Sequence, residues 1–237
     1  MATTIYVTFH RNLYNIYHQM PPNVQCIGVE VRPEFPKTIV TTIPVIKEHD
    51  LPGYIDLQKY RFNESSVIVN LRHHICCEIK DEFFGFFQYD MIPSASWLQK
   101  MQAAQTSKDV CVCGWLAPAA ASLGHSIPVF IPFFHTMIHA FNSKYKTSIT
   151  FEDIFSGIPL LSNFVIHASV YQEMIDFYMA MTPYITMLMM HPDVGTTHIA
   201  GFMERFWGVF LKCRFGDEGI VEIPVEHADY LRVAKDP

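Results

Sequence analysis

Two rhythms of apolar and polar positions divide the chain. Short runs of β-branched and aromatic residues occupy positions 4–9, 24–31, 83–87, 110–115, 164–169 and 220–224. Each predicts a strand. The run at 38–45 is also β-rich, but Pro44 confines it to an edge. Apolar residues at helical spacing predict helices at 94–105, 133–144, 170–188 and 199–212, the third interrupted near Pro183. Ser94 or Ser96 serves as an N-cap for the first of these. Shorter helical pieces are expected at 13–20, stopped by Pro21 and Pro22, at 55–63, and from Thr150, where Glu152 and Asp153 make an acidic first turn. The apolar run 67–71 reads as extended chain, and 127–131 as a short stretch between prolines.

One run organises the rest. Phe83, Phe84, Gly85, Phe86 and Phe87 carry no charge and end at Gln88, Tyr89 and Asp90. An unbroken apolar run of this length predicts a strand buried on both faces. In an open α/β sheet, ligands bind beyond the carboxyl ends of such strands. Gln88 and Asp90, two apart, project to the same side there. An acid in that place can hold a divalent cation, and the cation a diphosphate; the plainer alternative is that Asp90 caps a turn. The first strand ends in Thr8, Phe9, His10, Arg11 and Asn12. If it is central, these residues line the same crevice, and Arg11 becomes a phosphate partner rather than a solvated loop residue.

Composition narrows the classes. Half of the 237 residues are hydrophobic and 17% are charged, so the chain can bury one large core and is not disordered. The net charge of -6, with no basic run, argues against nucleic-acid binding. The first residues lack the pattern of a secretory leader, and the six cysteines make no CxxC pair, so reduced thiols in a cytoplasmic setting are expected. Positions 110–143 contain no Asp, Glu, Lys or Arg, but Pro118, Pro128 and Pro132 break the stretch, so no integral membrane span is expected. Peripheral attachment and oligomeric state are left open. Zinc at His73, His74, Cys76 and Cys77 is disfavoured, because neighbours on an extended chain point in opposite directions. Cys111 and Cys113 read as buried thiols.

Three local patterns share an order with a known family. Positions 82–91 (EFFGFFQYDM) resemble the strand and aromatic-polar ending of small GT-A-fold glycosyltransferases, including the capsular-polysaccharide type; similar stand-alone enzymes occur in large DNA viruses. The segment 54–70 looks like the tyrosine-containing helix and linker that precede that strand. Positions 201–211 (GFMERFWGVFL) are similar to a helix these enzymes carry near their C-terminus. The resemblance spans roughly 54–91 and 171–211.

It implies an α/β, GT-A-like (Rossmann-like) mixed, mostly parallel sheet flanked by helices in a single domain. It also implies a nucleotide-sugar donor, a glycan or other hydroxyl acceptor, and Mn²⁺ or Mg²⁺. The family's DxD slot is filled by Gln88, Tyr89 and Asp90, so the first acid is an amide. Asp90 remains as the direct carboxylate ligand, with His191 or His198 as further candidates. Thr8, Arg11, Gln88, Tyr89 and Asp90 are the expected donor-binding residues. Inverting transfer needs a carboxylate to take the acceptor's proton. Glu204, the single acid of an otherwise apolar helix, is the first choice, with Asp153 and Glu152 in reserve. The competing class is a non-enzymatic structural or interaction protein whose aromatics serve only core and interface.

Overall fold

The strand that begins the chain, β1 (Thr3–Phe9), lies inside the main sheet with partners on both sides. The protein is seen here as a computed structural model describing residues 2–14, 20–32, 34, 36–78, 82–89, 94–118, 129–160 and 162–225. The other strands are β2 (Leu13–Tyr14), β3 (Val24–Glu30), β4 (Ile39–Val40), β5 (Val45–Lys47), β6 (Phe83–Gln88), β7 (Cys111–Cys113), β8 (Leu116–Ala117), β9 (Ile158–Pro159), β10 (Phe164–His167) and β11 (Ile220–Glu222). The helices are α1 (Ser65–Asn70), α2 (Arg72–Glu78), α3 (Ala95–Ala104), α4 (Phe130–Tyr145), α5 (Ala168–Met189) and α6 (Thr196–Phe215).

Seven strands form the main sheet in the order β11-β7-β10-β6-β1-β3-β5. All pairs are parallel except those of β10, which runs against both β6 and β7. The sheet is therefore mixed and mostly parallel, flanked by helices, as the resemblance implied.

The Phe-rich run explains how both faces are covered. Strand alternation sends Phe84 and Phe86 into the large core shared with α1, α2, α4, α5 and α6. Phe83 and Phe87 face the opposite way, into a smaller core where α3 contributes Trp97, Leu98 and Met101. Phe86 stacks on Tyr171 of α5 at 5.6 Å, and the Tyr171 hydroxyl donates to the Ile68 carbonyl at 2.7 Å. Phe87 meets Trp97 edge-on at 5.1 Å. Between these faces Gly85 leaves room for its neighbours. A Cβ there would stand 2.9 Å from Ile5 Cδ1 on β1 and 3.0 Å from Val165 Cγ2 on β10.

Several local expectations change. The run 67–71 is helical, forming most of α1 and its end rather than extended chain. All six residues of α1 are buried, Ser66 and Asn70 included because both bond Glu48, so no solvent-facing stripe marks a helical period. The segment 55–63 holds only a 3-10 turn, Gln58–Tyr60, closed by Arg61 with φ +58°. The acidic start at Glu152 is likewise a 3-10 turn, Glu152–Ile154. Leu13–Tyr14 pairs with Ile39–Val40 as a small separate sheet instead of starting a helical turn; positions 15–19 lie outside the described residues. α5 runs through Pro183 without a break. The proline has no N–H to give the Met179 carbonyl, and both residues lie on the exposed side, where that carbonyl is accessible to solvent. Ser94 caps α3 as expected, its hydroxyl accepting from Trp97 N–H at 3.2 Å. Among the described residues no helix is long and apolar enough to cross a membrane.

Candidate active site

The chain leaves β1 toward β3 and β5 on one side, whereas β6 leads to β7 and β10 on the other. The order reverses between β1 and β6, and the crevice at their carboxyl ends is the place such a sheet offers a ligand. Thr8 and Tyr89 close its floor. The buried Thr8 hydroxyl donates to the Phe87 carbonyl at 3.1 Å, and Tyr89 N–H donates to the Thr8 carbonyl at 2.9 Å. Thr8 thus spends its hydroxyl on joining the two strands. Arg11 is exposed two residues beyond β1.

Gln88 stands at the half-buried end of β6. Its backbone N–H donates to Asn163 Oδ1 at 3.2 Å, and its side-chain amide donates to Glu204 Oε1 at 3.1 Å. Asn163 is fully buried just before β10, and its own carbonyl accepts from Gly114 N–H at 2.7 Å, past the end of β7. One asparagine therefore ties together the ends of β6 and β7. Glu204 reaches that amide from α6, which packs closely on β9: a Cβ on Gly208 would stand 2.2 Å from the Pro159 carbonyl oxygen. Beside it Arg205 donates to the Gly201 carbonyl at 2.7 Å. Burial pulls that guanidinium down, while the Glu204 carboxylate opposes the shift.

A second pair stands at the same edge. His10, the first residue after β1, pairs through Nδ1 with Glu64 Oε1 at the start of α1. The ring meets Tyr89 edge-on, with centroids 5.2 Å apart. The His10 side chain is 28% exposed and Glu64 only 11%, so the carboxylate is the sheltered partner and the ring the more accessible one. Nothing local in the sequence connects these residues, which lie 54 positions apart. The one sequence signal for His10 is its place beside Arg11 at the end of the first strand. Asn163 gave none.

Beyond the ends of β3 and β5, along the same edge, lies a cleft of about 540 Å³ with Arg32, Tyr54, Gln58 and Lys59 in its lining. Its floor includes Glu48, buried and accepting from Ser66, from Asn70 at 2.9 Å and from Gln58 at 3.1 Å. Burial raises this carboxyl above its ordinary value, and the hydrogen bonds only partly offset the effect.

The remaining expected site residues fall elsewhere. Asp90 lies outside the described residues. Asp153 is exposed and accepts from the Thr150 N–H at 2.7 Å and hydroxyl at 2.9 Å, contacts that hold its carboxyl below its ordinary value. It lines a recess with Glu152 and Lys212. Lys212 is eight residues past Glu204 on α6, about 12 Å along the helix axis, so the two nominated acids do not share a site. His191 accepts from Asp193 N–H at 3.2 Å within its own turn. His198 is exposed in the first turn of α6, six residues before Glu204 and so on a different face of the helix. Among the described residues no three His, Cys, Asp or Glu side chains are arranged to hold a metal ion. The described residues alone do not make a metal centre. Cys111 and Cys113 are buried free thiols, with burial pushing Cys113 up to about 12.

A mixed, mostly parallel, Rossmann-like sheet flanked by helices is also the fold of a solved glycosyltransferase. Among solved structures, the apo form of the bifunctional glycosyltransferase WbbM is similar to this chain with a TM-score of 0.57 at 9% identity. The match covers 95% of this chain and 45% of that one, so the chain spans less than half the length of WbbM. At that identity the likeness is one of fold. No protein-family description matches the sequence, and neither does any curated protein.

Proposed function

We propose that the chain is a glycosyltransferase that moves a sugar from a nucleotide-sugar donor to a hydroxyl acceptor in the crevice between β1 and β6. The observation that carries this reading is the contact between Gln88 and Glu204. It brings the one acid of an apolar helix to the carboxyl end of the central strand, at the switch point of a glycosyltransferase-type sheet.

In this reaction the acceptor oxygen attacks the anomeric carbon as the bond to the diphosphate breaks. The bonding electron pair leaves with the diphosphate, and the acceptor's proton passes to Glu204, inverting the anomeric centre. The Gln88 amide, 3.1 Å away, holds the Glu204 carboxylate at the end of β6. Arg11 is an exposed cation at the same edge, fit to meet phosphate. Asp90, next along the chain from Tyr89, is the carboxylate proposed to hold Mn²⁺ or Mg²⁺, which would supply charge neutralisation to the leaving diphosphate. The cleft past β3 and β5 lies one strand from β1 and has the size and polar lining to seat the nucleoside.

The test is a panel of nucleotide sugars with and without divalent metal, scored by slow hydrolysis and by melting temperature in UDP and GDP. A bound nucleotide at about a hundred times its dissociation constant should stabilise by roughly 2.7 kcal/mol. Absence of both hydrolysis and stabilisation across the panel would leave a non-enzymatic interaction protein as the better reading.

A further inference from the structure

The His10–Glu64 pair has no part in the core and no part in the proton step assigned to Glu204. Its carboxylate is the more sheltered partner, and the ring stands just past the end of β1, the central strand beside β6. A carboxylate accepting from Nδ1–H fixes the plane of the ring and turns Nε2 toward whatever lies opposite. Tyr89, packed edge-on, holds the ring from the β6 side. Glu64 is itself anchored at the start of α1, whose six residues are all buried, so the pair is mounted on two fixed elements.

The ring meets the carboxylate of Glu64 and the edge of Tyr89, and the exposed cation Arg11 is the next residue along the chain. Gln88, where a metal-binding acid stands in related folds, presents an amide already committed to Glu204. This end of the sheet is therefore short of anionic metal ligands among the described residues, and His10 and Arg11 follow one another along the crevice.

We propose that His10, oriented by Glu64, binds the diphosphate of the nucleotide-sugar donor directly; the proposal rests on the glycosyltransferase reading above. The protonated ring donates from Nδ1 to Glu64 and from Nε2 to a phosphate oxygen. It strengthens that bond as charge gathers on the leaving diphosphate, and it neither gains nor loses a proton in the step. His10 is the binding residue and Glu64 a positioning residue acting through it.

The experiment measures the affinity of the full chain for UDP and GDP, and for uridine and guanosine, by calorimetry in Mn²⁺ and again in EDTA. His10→Gln should weaken whichever diphosphate the wild type binds by about ten- to a hundredfold, the worth of a charge-assisted hydrogen bond. It should leave the matching nucleoside unchanged, in both buffers. His10→Lys should recover part of the loss. Glu64→Gln should give a smaller loss confined to the diphosphate. Equal losses for nucleoside and diphosphate would mean that His10 only supports the fold and would overturn the proposal. So would a His10→Gln variant that binds the diphosphate as the wild type does, while the glycosyltransferase reading survived. A wild type that binds none of the four would remove both.

Discussion

The side-chain amide of Gln88 donates to the Glu204 carboxylate at 3.1 Å, joining residues 116 positions apart in the chain. The central strand β6 and helix α6 meet there, and the contact sets the one acid of α6 at the carboxyl end of that strand. If Glu204 takes the acceptor's proton, Glu204→Gln should cut sugar transfer by about 10²–10⁴-fold while the melting temperature stays near that of the wild type. Initial rates and thermal melts on the same preparation decide the point. Transfer at the wild-type rate would move the base elsewhere.

Asp90 bears on the metal. Transfer by the wild type is expected to slow in EDTA and recover with Mn²⁺ or Mg²⁺. Asp90→Asn should be slow in both conditions and gain little from either ion. Rates measured across a metal titration give the comparison. A variant that responds to metal as the wild type does would take Asp90 out of that role.

Glu48 makes stability depend on pH. Its carboxyl is raised above 4.5 chiefly by burial, so the folded protein holds that proton more tightly than the unfolded chain does. The resulting stabilisation is complete below 4.5 and is lost as pH climbs through the folded value. Glu48→Gln, which cannot ionise, should show a flatter decline over that interval and should match or exceed the wild type at neutral pH. Urea midpoints of both proteins across pH 4 to 8 test this, and parallel curves would refute it.

Gly208 tests the seating of α6. A methyl group there would collide with the Pro159 carbonyl oxygen, which is backbone and cannot step aside. Gly208→Ala should destabilise by about 1–3 kcal/mol despite the better helix propensity of alanine. It should also lower activity by lifting Glu204 away from Gln88. Denaturant midpoints and rates should fall together.

The sequence by itself determined the elements that bury a side chain on each face or show one clear stripe. The run from Phe83 to Phe87 could only be a strand covered on both sides, since charge is absent from both of its alternating faces. Ser94 marked the start of α3 because a hydroxyl there satisfies an otherwise unpaired N–H. Glu204 stood out as a lone acid among apolar neighbours. Where burial was complete, as in α1, helix and strand patterns became the same, and the sequence misled. Tertiary structure alone decided the order of the strands, the reversal between β1 and β6, and the partners that meet there. Glu64 finds His10, and Asn163 finds Gln88, because packing of the sheet against its helices brings distant segments together. Local sequence encodes which residues seek burial; which polar groups then share a cleft follows only from how those buried faces fit.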